Sequence, residues 1–433
     1  MSAIFFGIVI IAFVVAAFRQ LTWVPTNVSS YETGPMQDLA IAMIDASTGS
    51  VTLAIGLIGV MALFLGLMKV AEEGGLLLII ARTVRPLMVR LFPEIPFDHP
   101  AMGSMILNMA ANALGLGNAA TPFGIRAMQQ LDKLNETPGT ASNAMVLFLA
   151  INTSSVTLLP TGVIALRAAA GSTDPAGILP TTLFATICST TVAILMAKTF
   201  QRYWLVKPDK NIISSEKSPE VICESHSSNE VAIGYPTWVS ITVLAAIFAI
   251  IPLTIFFGRE IAPWIIPGLM VSLLGFGMLR GINIYEAFVE GAKDGFQVAL
   301  RIIPYLVAIL VAVAMFRASG AMDMLIRPLG TVTGLVGLPA EALPMALLRP
   351  LSGSGAYGIL ASIIQNPSIG PDSYVGYLVS TFQGSTETTF YVLAVYFGAV
   401  GIRRVRHAIV AAICADITGI VAAVFIVSLL YGT

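Results

Sequence analysis

The sequence predicts an all-α polytopic membrane protein of two inverted-topology repeats, each with a re-entrant helical hairpin, and about nine spanning helices. Three observations predict it: the charge-poor composition, the likeness of the two halves, and matching interruptions in corresponding apolar segments. Of 433 residues, 56% are hydrophobic and 11% charged, where soluble domains carry roughly a quarter charged. The mean hydropathy is +0.86. Ser142–Leu166, Val231–Gly258 and Ile261–Leu279 run for 25, 28 and 19 residues without Asp, Glu, Lys or Arg. Crossing a hydrocarbon core takes about 20 apolar residues as helix. A soluble enzyme, a disulfide scaffold and a nucleic-acid binder are excluded. With a net charge of −1, no overall field recruits an anionic polymer.

In chain order, the first half reads as a helix at 3–18, an amphipathic stretch at about 36–48 and a helix at 50–68. A basic surface helix at about 76–91, a broken apolar segment at 101–131 and helices at 142–167 and 178–200 complete it. The second half has a helix at 262–279, an amphipathic stretch at 284–297 and a helix at 302–317. A broken segment at 341–365 and helices at 373–397 and 406–430 follow. In 284–297, Phe288, Ala292 and Phe296 recur every fourth residue opposite Glu286, Glu290 and Asp294, as in a helix lying in the interface plane. The first residues lack the basic region of a signal peptide and are read as a membrane helix. Cys188, Cys223 and Cys414 lack metal-ligand spacing and read as small packing residues.

The stretch 201–235 holds 9 charged residues and two prolines and reads as a polar linker. It divides a first repeat, 1–200, from an extra inverting helix at 236–258 and a second repeat, 259–433. The halves match in order: Arg85-Pro86-Leu87 with Arg327-Pro328-Leu329, INTSSVTLLPTGVIAL with FQGSTETTFYVLAVYF, and LFATICSTTVAIL (183–195) with IVAAICADITGIV (409–421). That is the pattern of a duplication. Each half crosses an even number of times, so one extra crossing turns the second upside down. With the N-terminus inside, 17 of 23 basic residues face the cytoplasm, as positive charge favours.

The segment 101–131 cannot be one straight spanning helix. Gly115 and Gly117 break it, and Thr121-Pro122 is expected to restart it, Thr as N-cap and Pro at the first helical position. Pro350 to Gly358 repeats the design. Non-helical backbone at membrane depth needs protein or a water-filled cavity around it, and paired interruptions in two halves point to a midplane binding site. Asn108, Asn112, Asn118 and Thr121 are candidates at one break, Ser352 and Ser354 at the other. The bland alternative for each is a cap or interhelical glue. A second polar cluster follows each break, Asn152, Thr153 and Ser154 ahead of Pro160, and Gln383, Ser385, Thr386 and Glu387, and each is expected to mark an unwound or cavity-lining section of its helix. A carboxylate within a spanning helix is a functional candidate by default. Glu387 is thus a candidate for solute or coupling ion, against a structural pair with Arg349; Asp416 is a second ion-coupling candidate. No nucleophile–base set, metal-ligand cluster or phosphate loop is found, so neither enzyme chemistry nor a cofactor is expected.

NALGLGNAATPFGIRAMQQL (112–131) resembles the signature of spore maturation protein A. FRASGAMDMLIRPLG, LPMALLRPLSGSGAYGI and FQGSTETTFYVLAVYFGAVGIRRVRHA resemble spore maturation protein B. The chain is thus similar to a fusion of the two, within the nucleoside recognition or Gate superfamily. That superfamily includes the membrane portions of ferrous-iron transporters and is distantly similar to concentrative nucleoside transporters. The resemblance implies a transport-like core of hairpins and inverted repeats. The expectation is a cytoplasmic-membrane transporter for a small polar or anionic metabolite, nucleoside-like or carboxylate, ion-coupled, with membrane lipid and solute as partners. A homodimer is compatible with this architecture. The alternative is a non-transporting membrane scaffold or sensor, which predicts hairpin tips closed on each other with no cavity between them.

Overall fold

A computed structural model describes residues 2–23, 33–204 and 235–432. Helix makes up about 77% of the chain, and no strand occurs among the described residues. Most of the 201–235 linker, with Cys223 and His226, lies outside them. Helix α1 spans Ser2–Thr22 and α2 Pro35–Glu73. The amphipathic stretch and apolar helix expected separately at 36–48 and 50–68 are therefore one helix. The second half repeats this: α10, Ile284–Ala318, runs unbroken through Pro304. In lipid a break would strand backbone N–H and C=O groups, so the chain stays helical where no neighbour can satisfy a kink.

After α2 come the surface helix α3 (Leu76–Leu91) and a hairpin of α4 (Pro100–Ala113) and α5 (Gly117–Lys133). The span expected at 142–167 unwinds at its polar run, leaving α6 (Asn143–Thr153) and α7 (Thr161–Ala169), before α8 (Leu179–Phe200). Helix α9, Thr237–Leu279, is 43 residues long, about 65 Å if straight at 1.5 Å per residue. Yet Tyr235 N donates to Arg82 O (3.3 Å) at its start, and Arg280 Nε donates to Gly74 O (3.0 Å) just past its end. Those partners are close neighbours in the chain, so α9 bends back with both ends on one face. Helix α11 (Ala321–Thr333), with Arg327-Pro328-Leu329, is the unforeseen counterpart of α3. The second hairpin is α12 (Leu343–Leu348) and α13 (Gly353–Ile364), and the second broken helix α14 (Tyr374–Ser385) and α15 (Thr389–Gly398), before α16 (Ala408–Tyr431).

Corresponding helices of the two halves pair antiparallel. A Cβ on Gly295 would stand 2.7 Å from Ala62 backbone, one on Gly291 2.5 Å from Leu65 O, and one on Gly66 2.8 Å from the Phe288 ring. As numbering rises along α2 it falls along α10. Likewise Tyr431 Oη donates to Gly177 O (2.9 Å), and Ser189 Oγ to Ala415 O (2.8 Å), while the Trp204 and His407 rings meet at the other end. Helices α8 and α16 therefore also run in opposite senses. Four described helices, α1, α2, α8 and α16, are long and apolar enough to cross a membrane, or up to five spans if the bent pair Pro328–Val336 and Ala340–Leu348 is one. Nine crossings would require broken or bent helices that no single-helix length test registers. The first hairpin enters from the face that holds α3, the second from the opposite face. Two large apolar cores, one beside each hairpin, hold them in place.

Candidate functional site

Each hairpin tip abuts the break in the helix that follows it. Gly115 lies at φ 73° and ends the first arm; a Cβ there would meet Leu159 O at 2.4 Å. Because Gly115 makes the turn, α5 begins at Gly117 and the Thr121-Pro122 pair lies inside it rather than capping it. Leu158 N donates to Ala113 O (2.8 Å) at the first tip, and Phe390 N to Pro350 O (3.2 Å) at the second. The same bond is made twice, by equivalent segments. The two breaks then touch: Glu387 N donates to Thr153 O at 3.0 Å.

Where these four pieces converge lies a cavity of about 200 Å³, lined among others by Asn112, Thr157, Arg349, Tyr357, Gln383 and Glu387. Arg349, on the second tip, donates to Thr388 Oγ1 (3.0 Å) and to Thr386 O, and stands 3.8 Å from Glu387 Oε2. The guanidinium is buried, whereas the Glu387 side chain is 49% exposed. The pair cancels in charge, so the cavity offers donors and acceptors without a net field. Gln383 Oε1 has no partner among the described residues and is a free acceptor at the wall.

Asn112, Gln383 and Glu387 are the expected site residues that reach the cavity. Asn152 stands one shell back, accepting from Asn112 Nδ2 at 2.9 Å and donating to Phe148 O. Asn108 donates to Ala120 O (2.7 Å) and to Tyr396 Oη (3.1 Å), joining the hairpin arms to α15. Thr153, Ser154 and Ser385 bond carbonyls of their own helices. Ser352 caps α13, its Oγ accepting from Gly355 N at 3.0 Å. Ser354 is exposed away from the cavity, Thr386 offers its carbonyl to Arg349, and Thr121 does not line it. The side chain of Asn118 lies outside the described residues. Asp416 stands behind α15, bonded by Thr389 Oγ1 at 2.7 Å. Tyr357 and the Leu159–Gly162 wall were not anticipated. Their signal was present in the runs GSGAYG and LLPTG, whose chemistry is mostly backbone.

Residues 54–170 and 299–403, just over half of the chain, match the Gate family, described as nucleoside recognition. The chain belongs to the Gate, or nucleoside recognition, family. Spore maturation protein B of Bacillus subtilis (strain 168) is 46% identical over 178 residues, 40% of this chain and 99% of that protein. Spore maturation protein A of the same organism is 47% identical over 167 residues, 39% of this chain and 85% of that protein. Both relatives fitting in one chain is consistent with a fused A/B protein. The inner membrane protein YjiG of Escherichia coli (strain K12) is 32% identical over 82 residues, 19% of this chain and 54% of that protein. A double variant of CNTnw solved in an outward-facing state aligns with a TM-score of 0.47 and 13% identity, over 98% of this chain and 99% of that one. With its apolar helices and these relatives, the Gate-family chain is a multi-pass membrane protein. Its two matched Gate segments contain both hairpin tips and both breaks, and so the whole cavity; Asp416 falls outside them.

Proposed function

We propose that this Gate-family protein is a transporter, not an enzyme, that binds a small polar metabolite, nucleoside-like or carboxylate, between its two hairpin tips. It sits in the cytoplasmic membrane with the face bearing α3, Arg403, Arg404 and Arg406 inside, since cytoplasmic segments collect basic residues. The observation that carries the reading is the cavity at the meeting point of tips and breaks. A scaffold whose tips merely close on each other would need no such space. At about 200 Å³, it is smaller than the roughly 300–1,000 Å³ of drug-sized pockets, which suits a compact solute. Helix ends and freed backbone groups at the breaks add fixed partial charges without the cost of another buried ion.

The experiment is a titration of purified protein in lipid nanodiscs with nucleosides, nucleobases and small carboxylates, followed by counterflow in proteoliposomes with whatever binds. Specific saturable binding that weakens in Gln383→Ala and Glu387→Gln is expected. Binding unchanged in both variants removes the cavity as the site. The names of the spore maturation relatives support a second reading, a membrane scaffold in an envelope process. It would be favoured if the whole panel failed to bind while a partner protein co-purified.

A further inference from the structure

The last helix of each repeat reaches back to the break in the helix before it, with different chemistry in the two halves. In the first, Thr190 donates its hydroxyl to the carbonyl of Ser154. Aligning 183–195 with 409–421 puts Asp416 where Thr190 stands. Its Oδ2 accepts from Thr389 Oγ1 at 2.7 Å, on the first residue of α15 and two residues beyond the cavity-lining Glu387. A hydroxyl suffices for the tie in the first repeat, so the second repeat's carboxyl is chemistry beyond a tie.

Asp416 is 3% exposed, and its Oδ1 has no hydrogen-bond partner among the described residues. The ion pairs of the described residues leave it out. Around it, α8 presents Ser189 with Cys188 beside it, α6 carries no titratable group, and α14 carries Tyr374 and Tyr377 towards its far end. Helix α15 contributes Thr389, with Tyr391 and Tyr396 further along; α16 itself has Cys414, and His407 before its first turn. Arg349 of the second hairpin lends positive charge, but its Nη donors go to Thr386 and Thr388 and its ion partner is Glu387. An ionised carboxylate held by one hydroxyl at this depth is strongly unfavourable. The neutral acid is not: it donates to Thr389 Oγ1, since a hydroxyl accepts as readily as it donates, and leaves Oδ1 as a carbonyl oxygen.

We infer that Asp416 is a proton-binding site set behind the α14–α15 break. Its use in coupling rests on the transport reading above; its existence does not. The step is proton transfer alone: a hydronium ion reaching the break gives its proton to the carboxylate and leaves as water, and the reverse unloads it. Thr389 is the link, because any shift of the break around a bound solute moves the one hydrogen bond the carboxyl has.

Infrared spectroscopy of the lipid-reconstituted full chain tests this without a transported solute. The expected result at neutral pH is a carboxylic-acid carbonyl band that shifts on labelling aspartate with carbon-13 at its side-chain carboxyl. It disappears in Asp416→Asn, persists in Glu387→Gln and moves in Thr389→Val, which keeps the carboxyl but removes its hydrogen bond. The isotope arm uses unsubstituted protein, so a poorly folding Asp416→Asn leaves the test intact. Absence of a label-sensitive band, its survival in folded Asp416→Asn, or its loss when sodium replaces choline in the buffer would overturn the inference. The last result would make the site one for a metal cation. A band present with no binder in the solute panel would leave the proton site standing and remove the transport reading.

Discussion

Glu387 and Arg349 form the ion pair of the cavity between tips and breaks, and the asymmetry between them sets the residue-scale predictions. Arg349 is buried and tied to the break by Thr386 and Thr388, while the Glu387 carboxylate is half open. Glu387→Gln leaves Arg349 without its counter-charge. The variant is expected to bind neutral solutes about tenfold more weakly, some 1.4 kcal/mol, and to gain relative affinity for small carboxylates, measured by calorimetry. Gln383→Ala removes an unpartnered acceptor, and an expected loss of about 1 kcal/mol matches one net hydrogen bond. Glu387 was legible in the sequence because a carboxylate in an apolar run stands out. Asn108, Ser154 and Ser352 were equally visible but turned out to hold helices together, because side-chain type does not say which way a polar group points. Tyr357 was passed over for the converse reason: an aromatic in an apolar segment looks like core.

At the scale of elements, two close approaches define the architecture. On Gly291, a side chain would collide with Leu65 O and Lys69 Cβ, both at 2.5 Å, and backbone cannot yield as a flexible side chain can. Gly291→Leu is expected to cost upwards of about 2 kcal/mol by overpacking the α2–α10 contact, seen as a lower unfolding temperature in detergent. Gly275→Ala is the control: a Cβ there meets nothing within 4 Å, and Ala gains about 0.5–1 kcal/mol over Gly within a helix. Gly115→Ala is expected to reduce solute binding more than stability. It adds about 1–2 kcal/mol of left-handed strain and pushes the first tip off Leu159, misplacing one wall of the cavity while both cores stay packed. The continuity of α2 and α10 was not legible, since an amphipathic stretch and an apolar stretch differ in composition whether or not the helix runs on.

Across the whole molecule, the two repeats are fastened together at both faces. On the face away from α3, Arg167 at the end of α7 is fully buried and donates to Pro371 O (2.6 Å), Ser380 Oγ (3.3 Å) and Asp372 Oδ1 (3.0 Å) of the second repeat. On the other face, Arg403 N and Arg404 N donate to Gly139 O, and Arg406 Nη1 donates to Ala141 O at 3.0 Å. Arg167→Met is expected to lose about 3 kcal/mol, the lower end for breaking a buried pair, because Asp372 retains some solvent; thermal unfolding measures it. Burial alone would raise the Asp372 pKa, but hydrogen bonds from Ser172 and Thr173 and the charge of Arg167 outweigh it and hold the carboxyl below its usual range. A folded-state value below the unfolded one, about 3.9, means this stabilisation is fully present above the unfolded value and lost as pH falls from there through the lower folded value. Unfolding temperature should therefore drop on acidification in the unsubstituted protein by more than in Asp372→Asn.

The membrane class, the duplication and the position of both breaks were all readable from the chain alone. They depend on composition and on glycine and proline, whose effects are local and act through backbone geometry and the energetics of bare peptide groups in lipid. Which polar residues face the cavity was decided only by the tertiary structure. So were the meeting of the two tips with the two breaks, the bend of α9 and the isolation of Asp416. Each depends on contacts between segments far apart in the chain, such as Glu387 with Thr153 or Arg280 with Gly74, and helical periodicity does not encode which neighbour will satisfy a group that the break has freed.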